Sequence, residues 1–179
     1  MIKRIFVEKK QGYDIEAQKM QKDLTENLGI CGIKKVRVLI RYDISGLGPK
    51  YYEAARQTVF SEPSVDNVYD EAFPFSKEER VFAMAFLPGQ YDQRADFAEQ
   101  CLQMLIKEEK PTVRVAKVIS ITGDVSDDEF QKIKDYYINP VESQEVDLKK
   151  PQTLEMDYRQ PGDVEVVSGF ITEDRKSVV

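Results

Sequence analysis

The chain has 179 residues, 41% of them hydrophobic, and carries 26 Lys+Arg against 32 Asp+Glu for a formal charge of −6. A chain of this length buries roughly 70% of its unfolded surface, enough for a real core, and without a Lys/Arg cluster to meet a phosphate backbone it is poorly suited to nucleic acid or an anionic membrane. It contains no histidine, which excludes Ser-His-Asp and Cys-His catalysis and zinc sites of the Cys/His type.

The opening Met1-Ile2-Lys3-Arg4 leads into alternating polar and apolar residues, with no apolar run suited to a signal peptide or membrane span, so the chain reads as cytoplasmic. A strand is predicted from Arg4 to Lys9, with Ile5 and Val7 on one face and Phe6 on the other. Gln11-Gly12 breaks it, and Asp14 is placed to cap a helix whose Ala17, Met20, Leu24 and Leu28 share a face; Gly29 suits its left-handed end. The next strand runs from Val36 to Tyr42, with Val36, Val38 and Ile40 on one side and Arg37 and Arg41 on the other. After the Gly46-Leu47-Gly48 turn, Pro49 starts a helix bearing Tyr52, Ala55 and Val59; Pro63 stops it, and Val65 to Tyr69 reads as a short strand. That glycine pair lacks the rest of any dinucleotide or phosphate-loop fingerprint and is read as a plain strand-to-helix turn.

The same order follows again. Arg80 to Phe86 is a predicted strand, Pro88-Gly89 a turn, and Asp92 opens a helix whose Ala95, Ala98, Cys101, Leu102 and Leu105 form an apolar stripe. Val113 to Ile121 is a strand, and Ser126 with Glu129 forms a capping-box signature for a helix carrying Phe130, Ile133 and Tyr137. That reading accounts for the acidic run Asp124, Asp127, Asp128, Glu129 without a metal, because carboxylates offset the positive end of a helix. Cys31 and Cys101 are expected to be buried thiols in a reducing compartment, with no histidine to activate either.

The two halves are related in register. Val36-Arg37-Val38 returns as Val113-Arg114-Val115, Gly46 as Gly123, Phe60 as Tyr137 and Pro63 as Pro140, all at one constant offset, and Tyr13-Asp14 with Ala17 returns as Tyr91-Asp92 with Ala95. The expected fold is therefore α+β: tandem β-α-β-α-β repeats over residues 1–75 and 76–146 that stack as an internal pseudo-dimer, each burying a face the other half cannot bury alone. Residues 147–179 are expected to form an extended linker-like tail toward a further domain. Leu154, Met156, Tyr158, Val164, Val166, Val167, Phe170 and Ile171 make this segment too apolar to be fully solvated, and a natural C-terminal strand pair is the alternative.

Four segments carry a family resemblance: Arg4-Ile5-Phe6-Val7-Glu8-Lys9-Lys10, Thr58-Val59-Phe60-Ser61-Glu62-Pro63, Leu87-Pro88-Gly89-Gln90-Tyr91-Asp92-Gln93-Arg94-Ala95-Asp96 and Ile138-Asn139-Pro140-Val141-Glu142-Ser143. In this order they resemble the amino-terminal region of phosphoribosylformylglycinamidine synthase, the large single-chain form. The resemblance implies two units like the small S subunit of the split enzyme, fused into a bridging module of a purine-biosynthesis amidoligase. It also implies that ATP, magnesium and the glutaminase chemistry belong to the rest of a longer chain, whose synthetase and glutaminase domains would be the partners of this one. No catalytic, cofactor-binding or metal-binding residue is expected within the present chain, and self-association through faces normally covered by those domains is expected to be possible. The loop Pro88 to Arg94 is the candidate interdomain contact, through Gln90, Gln93 and Arg94; Arg94 sits unfavourably at a helix start unless a carboxylate offsets it, and the competing reading is that Asp92 caps the helix while Arg94 pairs locally with Asp96 or faces solvent. A free-standing scaffold or bridging subunit and a small-molecule-binding regulatory domain are the alternative functions.

Overall fold

The computed structural model describes residues 2–106 and 110–155. In chain order the elements are β1 (Lys3–Lys9), α1 (Ile15–Glu26), β2 (Ile33–Ser45), α2 (Pro49–Thr58), β3 (Asp66–Asp70), β4 (Glu79–Phe86), α3 (Gln93–Leu105), β5 (Thr112–Gly123), α4 (Asp127–Tyr137) and β6 (Ser143–Val146). The fold is α+β. Its strands form one six-stranded sheet in the order β3-β1-β2-β5-β4-β6, and every neighbouring pair is antiparallel.

The register has a regularity of its own. Ile5 pairs with Tyr42, and Phe82 with Ile119, each member of the second pair lying 77 residues beyond its counterpart in the first. Val7 pairs with Val68, and Met84 with Glu145, at the same offset again. In the central β2–β5 ladder the offset partners Ile40 and Lys117 face each other, flanked by Val36↔Ile121 on one side and Ile44↔Val113 on the other.

The helices cover one face of the sheet. Ala55 of α2 with Ala98 and Leu102 of α3 packs on Ile5, Tyr42, Ile44 and Val113. Met20 and Leu24 of α1 with Ile133 of α4 packs on Val36, Phe82, Ile119 and Ile121. The predicted stripes on these helices supply these buried residues, at roughly 25 cal/mol per Å², but Leu105, predicted in the α3 stripe, lies in the helix's last turn and is 40% exposed. The opposite face has a thinner apolar centre of Phe6, Leu39, Ala83 and Val118, roofed by Phe73 from the β3–β4 connection. Both faces of β1 are consequently covered, and Ile5, Phe6 and Val7 are all buried.

Several expectations change. The central strands outrun their predicted ends: β2 continues to Ser45, through Asp43, and β5 reaches Gly123. Asp43 stays in the strand because Arg4, brought alongside by the β1–β2 pairing, neutralises it. The last strand of the second half, β6, is polar apart from Val146 and exists by completing the ladder on β4. Neither cysteine is buried: Cys31 is exposed in the turn after α1, and Cys101 lies partly open on α3. Asp14 precedes α1 but its side chain makes no capping bond; its Oδ1 instead accepts from the Gly12 N–H at 3.0 Å and the Gln18 amide at 2.8 Å. Leu154 is buried, whereas Met156, Tyr158, Val164, Val166, Val167, Phe170 and Ile171 lie outside the described residues.

Two glycines let the central strands close. A Cβ on Gly32 would overlap the Asp124 carbonyl, and one on Gly123, whose φ is 147°, would overlap the Gly32 carbonyl. Side chains are excluded there by backbone on both sides.

Candidate functional site

The predicted contact loop begins where β4 ends. Its turn is closed by Gln90 N–H donating to the Leu87 carbonyl at 3.0 Å, with Gly89 at a φ of 90°. Asp92 caps α3, its Oδ1 accepting from the N–H groups of Arg94 at 2.9 Å and Ala95 at 3.1 Å. Gln90, Gln93 and Arg94 are exposed. Arg94 does not pair with Asp96, which accepts from the Tyr91 hydroxyl and the Gln100 amide. Its guanidinium instead turns across the helix-covered face, with Nη1 at 3.5 Å from the Tyr42 hydroxyl. Burial alone would lower its pKa; the Tyr42 contact and the fields of Glu16 and Asp92 outweigh that and raise it. Glu16 in turn accepts from Lys117 Nζ at 2.5 Å.

The three residues do not form one patch. Gln90 borders a cleft of about 600 Å³ that also touches Arg41 and Arg114, while Gln93 and Arg94 border a separate one of about 700 Å³ with Glu16 and Lys117. The loop is therefore a divider between two concavities.

The charged residues that β1, β2 and β5 direct to the face opposite the helices form two arrangements. In the first, Arg37 donates from Nε and Nη2 to the two oxygens of Glu8 at 2.7 and 2.8 Å. Its Nη1 reaches the Pro74 carbonyl at 2.8 Å and Glu79 Oε2 at 3.1 Å. Ser120 also donates to Glu79, at 2.6 Å. The hydrogen bond to Glu8, opposed by desolvation and reinforced by the charges of Glu8 and Glu79, drives the Arg37 pKa upward.

In the second, Arg4 grips Asp43 with two bonds, Nε–Oδ1 at 2.5 Å and Nη2–Oδ2 at 2.9 Å, and donates from Nη1 to the Leu148 carbonyl at 2.6 Å. Arg41 shares that carboxylate, its Nε 3.3 Å from Asp43 Oδ2, and donates from Nη1 to the Asp147 carbonyl at 2.8 Å. Burial, the dominant influence, lowers the Arg41 pKa. Directly across the ladder from Asp43 stands Arg114, whose buried Nε has no hydrogen-bond partner among the described residues.

Arg4, Asp43 and the two carboxylates on Arg37 were not singled out from sequence. The available signal was charge in mid-strand: Arg37 and Arg114 occupy corresponding places in the repeated Val-Arg-Val, and charge on a strand covered from both sides requires a partner. Among the described residues no group of three Asp, Glu, His or Cys is placed to hold a metal ion, and no helix is long and apolar enough to cross a membrane. Compared with protein-family models, curated proteins and solved structures, the chain matches none.

Proposed function

We propose that this chain is a structural and bridging module of the phosphoribosylformylglycinamidine synthase type: two S-subunit-like halves joined as an internal pseudo-dimer that holds synthetase and glutaminase domains together, with no chemistry of its own. The observation that carries the reading is the constant offset between the halves, present in the sequence and kept in the pairing of both outer strand sets about the central Ile40↔Lys117 pair. An arrangement of this kind lets each half cover the strand edge that the other leaves open. The four resembling segments support the family reading. ATP, magnesium and glutamine are, on this reading, handled by the remainder of a larger chain, with Gln90, Gln93 and Arg94 contributing contacts to it.

The test is the intact mass of the native protein captured from lysate with an antibody against this chain. A species several times heavier than 20.7 kDa, with glutamine-dependent ATP turnover, is expected; a native chain of about this size would refute the reading and leave a free-standing scaffold. In the large chain, Arg94→Ala is expected to weaken glutamine-dependent turnover while leaving ammonia-dependent turnover in place.

A further inference from the structure

The two arginine arrangements correspond position by position, and one of them lacks its acid. At the offset that relates the halves, Arg114 answers to Arg37, Ala85 to Glu8, and Pro151 to Pro74. The strand registers place these pairs equivalently: Arg37 and Arg114 sit at corresponding points of the β2–β5 ladder, and Glu8 and Ala85 on strands that pair in the same offset register. Arg37 and Glu8 border one cleft with Pro74; Arg114 and Ala85 border the other with Pro151. Where Arg37 is held by both oxygens of Glu8, Arg114 has only the methyl group of an alanine at the matching position.

Among the described residues the guanidinium is left short of acceptors. Its Nε is buried and unpaired among the described residues, and its Nη1 has only a 3.4 Å approach to the neighbouring Val113 carbonyl. Arg41, with 8% of its side chain exposed, borders the same cleft, and its Nε also lacks a well-formed hydrogen bond. Of the acids that line this cleft, Glu155 is exposed at the rim and the others are engaged. Asp43 is held by two bonds from Arg4, Asp92 caps α3, Asp96 takes Tyr91 and Gln100, Glu99 accepts from the Val113 N–H, and Asp147 from the Lys149 N–H. An uncompensated guanidinium in such surroundings is unfavourable until an anion with matching geometry arrives.

We propose that Arg114 and Arg41 form a binding site for one carboxylate supplied from outside the chain, which takes the place that Glu8 takes beside Arg37. A single negative charge fits better than a polyanion, because the rim carboxylates repel further charge. The apolar neighbours Phe86, Leu87 and Leu154 suit a carboxylate on a short hydrocarbon stem, as in a glutamate side chain or a small fatty acid. The site stands independently of the bridging role.

The experiment follows the arginine Nε–H resonances of the ¹⁵N-labelled full chain during titration with butyrate, with butyramide as the uncharged isostere and with a capped Gly-Glu-Gly peptide. Butyrate is expected to shift the Arg114 signal saturably and butyramide to leave it in place. A response to both butyrate and peptide defines a general carboxylate site, one confined to the peptide a protein side chain as the ligand, and one confined to butyrate a small-molecule ligand. Ala85→Glu, which restores the missing acid, is expected to pre-shift the signal and weaken butyrate binding by roughly tenfold to a hundredfold. Arg114→Gln, checked for folding by the remaining amide signals, is expected to abolish the response of neighbouring amides. An Arg114 signal that neither carboxylate moves, or butyrate binding unchanged in Ala85→Glu or Arg114→Gln, overturns the proposal.

Discussion

Asp43→Asn removes one charge and almost no volume, and it is expected to be among the most damaging polar substitutions in the chain. Asp43 and Arg4 are 3% and 2% exposed, the pair is bidentate, and Arg41 leans on the same carboxylate. The substitution leaves two buried guanidinium groups with backbone carbonyls but no counter-charge, and breaking a buried pair in this way costs about 3–5 kcal/mol. With a urea dependence of roughly 2 kcal/mol per M for a domain of this size, the unfolding midpoint should fall by roughly 1.5–2.5 M. Urea titration followed by far-UV circular dichroism reads this directly. The double variant Arg4→Met with Asp43→Leu should recover much of the loss, since a hydrophobic replacement of similar volume avoids the desolvation penalty. A loss for Asp43→Asn below about 1 kcal/mol, the range of exposed pairs, would refute the view that this face of the sheet is a low-dielectric site.

Leu102→Ala, at a fully buried position, should destabilise by about 2.5–5 kcal/mol in the same assay, whereas Met104→Ala on the exposed side of α3, at 78% exposure, should stay within about 0.5 kcal/mol. Gly123→Ala forces a Cβ into the Gly32 carbonyl and should lower stability by at least about 2 kcal/mol; a neutral effect would mean that the β2–β5 ends are not so closely apposed. At α4, the Ser126 backbone N–H and hydroxyl hold the Glu129 carboxyl below its ordinary value of 4.5. A pKa depressed in the folded state stabilises above the unfolded value and loses that contribution as pH falls through the folded one, so Glu129→Gln should cost stability near neutral pH and progressively less under acid conditions, by thermal unfolding across that range. A thiol reagent should label exposed Cys31 before Cys101, and the opposite order would contradict the placement of the two side chains.

What could be read from sequence was what is local. Asp92 caps α3 and the Ser126–Glu129 box caps α4 as their spacing requires, because a cap is decided within a single helical turn. The apolar stripes of the helices identified their buried faces for the same reason, save at the end of α3, where Leu105 is exposed. Asp43 could not be read as a strand residue, because what makes it tolerable is Arg4, 39 residues away. Nor could Arg94, whose neighbour Tyr42 is 52 residues distant; adjacency in sequence pointed to Asp96, and reach decided otherwise. Gln90 and Gln93 are close along the chain but border different clefts because Asp92 fixes the helix start between them. β6 carries no hydrophobic alternation of its own, being created by the strand it joins.

The position of β2 has a consequence for synthesis. One of its edges is satisfied by β1 as soon as both have emerged, but the other waits for β5, which follows only after α2, β3, β4 and α3. At typical elongation rates that is a delay of roughly 4–15 s, during which the 13 residues of β2 present an unpaired edge to every other nascent chain nearby. Lys34, Lys35, Arg37, Arg41 and Asp43 are spaced along that edge, and charge of this kind is the usual protection against sheet-to-sheet aggregation. The buried ions of the finished protein thus act twice: as clasps once the sheet is complete, and before that as guards on a strand still waiting for its neighbour.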